Sequence, residues 1–476
     1  MTLEISSETP ARTRSAKPMS RRSFLSLAGA ATAGVTLTTL PFGFAGVAGA
    51  QTGARSLVCV FLAGGADSYN LFVPRDHSVS GQTHAVYAAT RGNLAVAANS
   101  LLPVFDGQFG LHPGLPGVAA IAERGDLAVL QNVGPLERPI TKADYLAGRS
   151  RPQSLFAHDA QQKLWQTARP TLTSSTGWAG SLAAAVAPNA AVAPSFSLNG
   201  SNRWQASASS RYSRLSPSVR ISLLDGYDSR SRSSEPSFDS LQSVLNSNLA
   251  ASQRSSNIYD RAAAESIGQS ITTTGQLQAA TADSSANDVG MNDIGGNRLG
   301  LQLREVAKLI KNRDALGMGR QIFFVRVGGW DTHQDQAGRF PFLLSELDGA
   351  LTSFQNALVG LGVNNSVTTF TASDFRRTLT NNGDGTDHGW GGNAFIMGGA
   401  VDPGRYGTFP NLSATASNPD DISDGRGNFA GRLIPTTSVS QHGATLARWM
   451  GLSDSQLNQA FPELGNFGQR DLGYLG

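Results

Sequence analysis

Four short runs, SLVCVFLA (56–63), LAVLQNV (127–133), QIFFVRV (321–327) and VTTFTA (367–372), are apolar almost without interruption and rich in β-branched and aromatic residues. A strand with one wet face alternates apolar and polar residues. Strands that do not alternate are covered on both faces, as in a parallel sheet flanked by helices. AFIMGGA (394–400) is a weaker fifth candidate. Helical spacing falls between the runs: Leu299, Leu303, Val306 and Ile310 form one stripe, and Leu343, Leu347, Leu351, Phe354 and Leu358 form another. Strand alternating with amphipathic helix predicts an α/β fold with helices on both faces of the sheet. Residues 202–296 break the pattern. They are rich in Ser, Ala, Asn and Gln and carry no strong strand, which predicts a helical insertion or cap. Residues 410–427 read as an exposed loop.

The first fifty residues are set apart. SRRSFL (20–25) is a twin-arginine signature, followed by a weakly apolar Ala/Gly/Thr stretch and by AGA (48–50), a small-residue cleavage site. The stretch is too rich in Gly and Thr to make a membrane span, so the expectation is export by the twin-arginine machinery to the periplasm or beyond. Charge follows from this. The whole chain has 38 Lys+Arg and 35 Asp+Glu, and residues 1–50 hold five and two of these, leaving 33 of each in 51–476. A chain this balanced has no basic field to attract nucleic acid. Cys59 is the single cysteine, which excludes an intramolecular disulfide and a thiolate-rich zinc site; within its apolar run it reads as a core residue.

In open α/β sheets, ligand sites form beyond the C-terminal ends of the strands. Asp67 follows the first run in GGAD, and Asp331 and His333 follow the third in GGWDTH. Asp374 and Arg377 follow the fourth in SDFRRT, and GTDHGWGG (385–392) brings Asp387 and His388 together among glycines. Each motif alone matches an ordinary turn or helix cap. Together they send carboxylates and imidazoles from four distant segments to one sheet edge, which predicts one or two divalent metal ions. Mixed oxygen and imidazole ligands suit Zn²⁺, Mn²⁺ or Fe, and an all-oxygen subset would suit Mg²⁺ or Ca²⁺.

SRRSFL, GGAD, GGWDTH, SDFRRT…GTDHGWGG and the closing GRLIPTTSVSQHGATLARWMGL, in this order, resemble the bacterial twin-arginine-exported family known as domain of unknown function 1501, which is placed in the alkaline phosphatase/sulfatase superfamily. The resemblance implies a three-layer α/β/α sandwich and hydrolysis of phosphate or sulfate esters of a small molecule or glycan at a metal site. It also implies that Asp67, Asp331, His333, Asp374, Asp387 and His388 are the ligands. Two registers are compatible with it: Asp374 stands for the superfamily's Asp-His pair with His388 as the late histidine, or TDHG is itself that pair. Ala66 and Asp374 depart from the family's Asn and Glu. Ser154, at a helix start in RPQSLFAHDAQQKLW, takes the place of the superfamily nucleophile, although related chains often carry His where this chain has Leu155. Arg377 falls on the family's arginine and would clamp substrate oxygens, or else pair with a ligand carboxylate. A non-catalytic exported protein that keeps the fold and binds a metal or ligand is the alternative. His158, on the helix after Ser154, could line the pocket but is not counted as a ligand. His112 and His442 read as structural, and His77 and His84 as solvated loop residues.

Overall fold

The computed structural model describes residues 53–169, 171–188, 193–216, 236–280, 288–423 and 431–476. The twin-arginine segment, parts of the 202–296 region and the end of the 410–427 loop lie outside the described residues. The central sheet has nine strands: β1 (Arg55–Ala63), β2 (Leu127–Gly134), β3 (Ser195–Ser197), β4 (Ser213–Arg214), β5 (Arg320–Gly328), β6 (Val367–Ser373), β7 (Gly392–Met397), β8 (Gly404–Tyr406) and β9 (Thr437–Ser438). Their order is β8-β2-β7-β6-β1-β5-β3-β4, with β9 also paired to β2. The five apolar runs are therefore all strands of one sheet. The sheet is mostly parallel, and the fifth run is its exception, because β7 runs antiparallel to both β2 and β6. It is reached by a hairpin rather than by a helical crossover, so its direction reverses.

Period-two alternation divides the central strands between two cores. Val58, Val60 and Leu62 of β1 face one helical layer, formed by α1 (Pro116–Glu123), α6 (Arg298–Lys311) and α7 (Gln336–Gly360). Leu57, Cys59 and Phe61 face the other, formed by α2 (His158–Thr167), α3 (Trp178–Val186) and α8 (Val439–Trp449). All six β1 residues are buried to 2% exposure or less. Each large apolar side chain buried this way contributes about 1.5–3 kcal/mol. That is why these strands carry no polar alternation, and it yields a mixed α/β protein of three layers on a mostly parallel sheet.

The region 202–296 is less of an insertion than its composition suggests. Trp204 is buried in the second core, Ser213–Arg214 extends the sheet edge, and Val289, Met291 and Ile294 belong to the first core. The helical part is a hairpin of α4 (Pro236–Gln253) and α5 (Ile258–Ala280). The loop beginning at Pro410 is also partly internal. Leu412 and Asp421 are fully buried, because Asp421 accepts the backbone N–H groups of Ser423 and Gly431 and holds the loop inward. His84 opens a helix (His84–Arg91) instead of lying in a loop. No described helix is long and apolar enough to cross a membrane.

Candidate metal centre

Three histidines and one aspartate meet beyond the ends of β1, β5 and β6. Asp331 lies on the loop after β5, and His333 two residues on. His388 comes from a hairpin, Arg377–Asn381 paired with Thr386–His388, in which Arg377 is opposite His388. His158 is the first residue of α2. His158, Asp331 and His388 present ligand atoms that all lie within 4.8 Å of one another. His333 Nε2 is 2.8 Å from His388 Nε2 and 3.2 Å from Asp331 Oδ1.

The back of each imidazole is occupied. His158 Nδ1 is 2.7 Å from Asp374 Oδ2, His333 Nδ1 is 3.0 Å from Asp387 Oδ1, and His388 Nδ1 is 2.6 Å from the Phe156 carbonyl. All three partners are acceptors, so each Nδ1 carries the proton and donates it. With Nδ1 as the donor, the unprotonated form of each ring turns an Nε2 lone pair toward Asp331. Metal-ligating histidines are typically anchored in this way, through a carboxylate or carbonyl behind the ring. Nε2 lone pairs 2.8 Å apart repel one another unless a proton or a cation lies with them. The donor set therefore fits a divalent ion, with His158, Asp331 and His388 as holders and His333 adjoining them.

Electrostatics at the centre are mixed. The hydrogen bond to Asp374 is the largest influence on His158 and raises its pKa against the opposing effect of burial. Burial lowers that of His388. Burial works against the charge of Asp331, but Arg377, His333 and His158 together outweigh it and leave the carboxyl below its ordinary range.

The other sequence-derived candidates lie around this group in different roles. Asp374 is buried and touches the cluster only through His158; its Oδ2 also accepts Gln162 Nε2 at 2.9 Å. Asp387 orients His333. Asp67 is fully buried and ion-paired with Arg91, also fully buried, while Gln336 Nε2 donates to the same carboxylate oxygen at 2.5 Å. Arg377 is paired with Asp331 at 2.5 Å, and its other bonds go to the Gly64 carbonyl and to the side chain and carbonyl of Thr386. Four of its five N–H groups are thus used within the chain, the ion-pair option of the two read from sequence. Ser154 is exposed on a turn at φ 49°, and the residue capping α2 is Ala157, three positions later. His158 is the member that sequence reasoning left out. Its signal was the pair His158 and Gln162, one helical turn apart, both of which reach Asp374.

Glycine explains how the hairpin gets close. A Cβ on Gly385 would collide with the carbonyls of Thr332 and His333, where the Thr386 N–H donates to the Thr332 carbonyl at 3.0 Å. Gly385→Ala is expected to destabilise the protein by about 1–3 kcal/mol, as overpacking does. Urea unfolding checks this; a variant within about 0.5 kcal/mol of wild type would show that the hairpin is not held this tightly.

Fold and site together define a three-layer α/β/α protein that carries a group of residues able to hold a metal at the strand ends. The chain belongs to the family described as a protein of unknown function (DUF1501), whose model matches residues 54–456. No curated protein matches it. Two solved structures, Ps i-CgsB and the same protein in complex with k-i-k-neocarrahexaose, are similar at 10% identity each, with TM-scores of 0.32 and 0.31. They match over 87% and 85% of this chain and 77% and 74% of theirs.

Proposed function

We propose that this protein is an exported, metal-dependent hydrolase acting on phosphate or sulfate esters, as its resemblance to the alkaline phosphatase/sulfatase superfamily implies. The observation that carries the metal part is the convergence of three back-anchored imidazoles on Asp331. Imidazole nitrogen favours Zn²⁺, Mn²⁺ or Fe over Mg²⁺ and Ca²⁺, which prefer oxygen ligands. When bound, the ion would polarise an ester oxygen and lower the pKa of a water. The chain's own residues do the positioning. Asp374, Asp387 and the Phe156 carbonyl fix the three rings, and Arg377 fixes the carboxylate. The attacking oxygen would be a bound water or the hydroxyl of Ser154.

Export by the twin-arginine route to the periplasm belongs to the same proposal, because SRRSFL precedes the folded region and that route carries proteins already folded. Elemental analysis of the mature protein, followed by turnover of aryl phosphates and aryl sulfates, is the test. The expected result is a transition metal at about one ion per chain, with ester turnover abolished by chelation and restored by the metal. One observation favours a second reading, a non-catalytic metal- or ligand-binding protein: Arg377 has a single N–H left for a substrate oxygen. Bound metal with no turnover of either ester class would decide for it.

A further inference from the structure

A cavity of about 670 Å³ opens beside α2, between that helix, segment 199–212 and the end of β5. Helix α2 is common to the cavity wall and the metal centre. His158 and Gln162 are one turn apart on the same face, and Gln162 is shared between Asp374 and the cavity wall. Its size is that of a small-molecule site, roughly 300–1,000 Å³, but its chemistry is not the mainly apolar lining of most such sites. Amides line much of it: Gln162, Gln166, Asn199 and Asn202. Ala206 and Phe324 are the apolar exceptions, and Tyr212 adds a ring and a hydroxyl. A ligand that fills it must be polar over most of its surface.

The cavity is also cationic. Lys163, Arg203 and Arg326 face it against one carboxylate, Asp159. Lys163 is bonded to the Leu172 carbonyl and Arg203 to the Ser175 carbonyl, so each is held at the wall. Arg326 differs. Its backbone is locked on both sides by Gln302, which accepts from its N–H at 3.0 Å and donates to its carbonyl at 2.9 Å. Among the described residues its guanidinium has no hydrogen-bond or ion-pair partner, although Arg326 is half-buried. It shares a strand face with Phe324, the face covered by α2. A half-buried arginine on a backbone held in place, with its guanidinium donors open, suits an anionic oxygen group, which it can bind in a bidentate manner.

We propose that this cavity is a subsite for an acidic saccharide unit, one bearing a carboxylate or ester-linked anion, next to the unit held at His158, Asp331 and His388. The proposal rests on the hydrolase reading only for what happens at the neighbouring centre. Amides and the Tyr212 hydroxyl meet sugar hydroxyls, and Arg326, Lys163 and Arg203 meet the anion.

Calorimetric titration of the mature protein with a heparin-derived tetrasaccharide, cellotetraose and hexaglutamate tests it. The sulfated tetrasaccharide is expected to bind, and Arg326→Gln to weaken it about tenfold with an unchanged unfolding midpoint. Lys163→Gln serves as the second variant should Arg326→Gln not fold, with weakening in the same direction. Neutral cellotetraose is expected to bind at least about tenfold more weakly than the sulfated probe. No binding by wild type, or affinity unchanged in both variants, overturns the proposal, and hexaglutamate binding as tightly as the saccharide replaces it with an acidic peptide site. The titration is repeated after chelation. Saccharide binding that survives chelation, in a protein that turns over neither ester class even when loaded with metal, upholds the subsite while removing the hydrolase reading.

Discussion

Arg91→Leu is expected to destabilise the protein by about 3–5 kcal/mol, the cost of leaving one charge of a buried pair uncompensated. Arg91 and Asp67 are each fully buried, so water cannot take over the role of the missing partner. The pair also holds the site from beneath. Arg91 Nη1 donates to the carbonyls of Thr378 and Leu379, at 2.9 and 3.0 Å, in the hairpin that ends at His388. Gln336 donates to Asp67 and accepts the hydroxyls of Thr332 and Thr386, at 3.1 and 2.7 Å. One carboxylate thus ties together the loop carrying Asp331 and the hairpin carrying His388. Asp67→Leu combined with Arg91→Leu should recover part of the loss, because replacing both charges removes the unpaired ion but not the carbonyls that Arg91 served. Urea unfolding of the two single variants and the double variant measures this. A single Arg91→Leu within about 1 kcal/mol of wild type would mean that the pair contributes no more than an exposed one does.

The same pair shows where the sequence stops being readable. Strand runs were legible because burial on both faces removes polar residues from every second position, and β1, β2, β5, β6 and β7 all fall on them. β3, β4, β8 and β9 are two or three residues long, too short to leave a pattern. That the chemistry gathers at the strand ends was also legible, since Asp331, His333, His388, Asp374 and Asp387 do lie together. Which acid faces the candidate metal centre and which is taken up by another side chain was not. Asp67 has the post-strand position of a ligand, yet it faces a guanidinium supplied 24 residues later. Asp374 faces an imidazole 216 residues earlier. Such pairings depend on side chains brought together by tertiary packing, and no local spacing encodes them. Trp204 and Asp421 make the same point for burial: polar, low-complexity surroundings conceal residues that the fold takes inside.

Metal affinity should fall in graded steps that follow these roles. His388→Ala removes a nitrogen that faces the centre directly and is expected to weaken binding by more than about 100-fold, beyond the range found for outer partners. Asp374→Ala leaves every facing atom in place and removes only the group that holds His158 Nδ1, so about 10–100-fold is expected. Asp387→Ala acts on His333 in the same way and should fall in that range or below it, because His333 adjoins the group of His158, Asp331 and His388 rather than belonging to it. Asp67→Asn, whose carboxylate is engaged by Arg91 and Gln336, should change metal affinity least and stability most. Competition with a chromogenic chelator gives the affinities, and urea unfolding gives the stabilities. Equal losses in His388→Ala and Asp374→Ala would place Asp374 on the ion itself. Full affinity in His388→Ala would remove the centre from the position where three anchored imidazoles and one carboxylate converge.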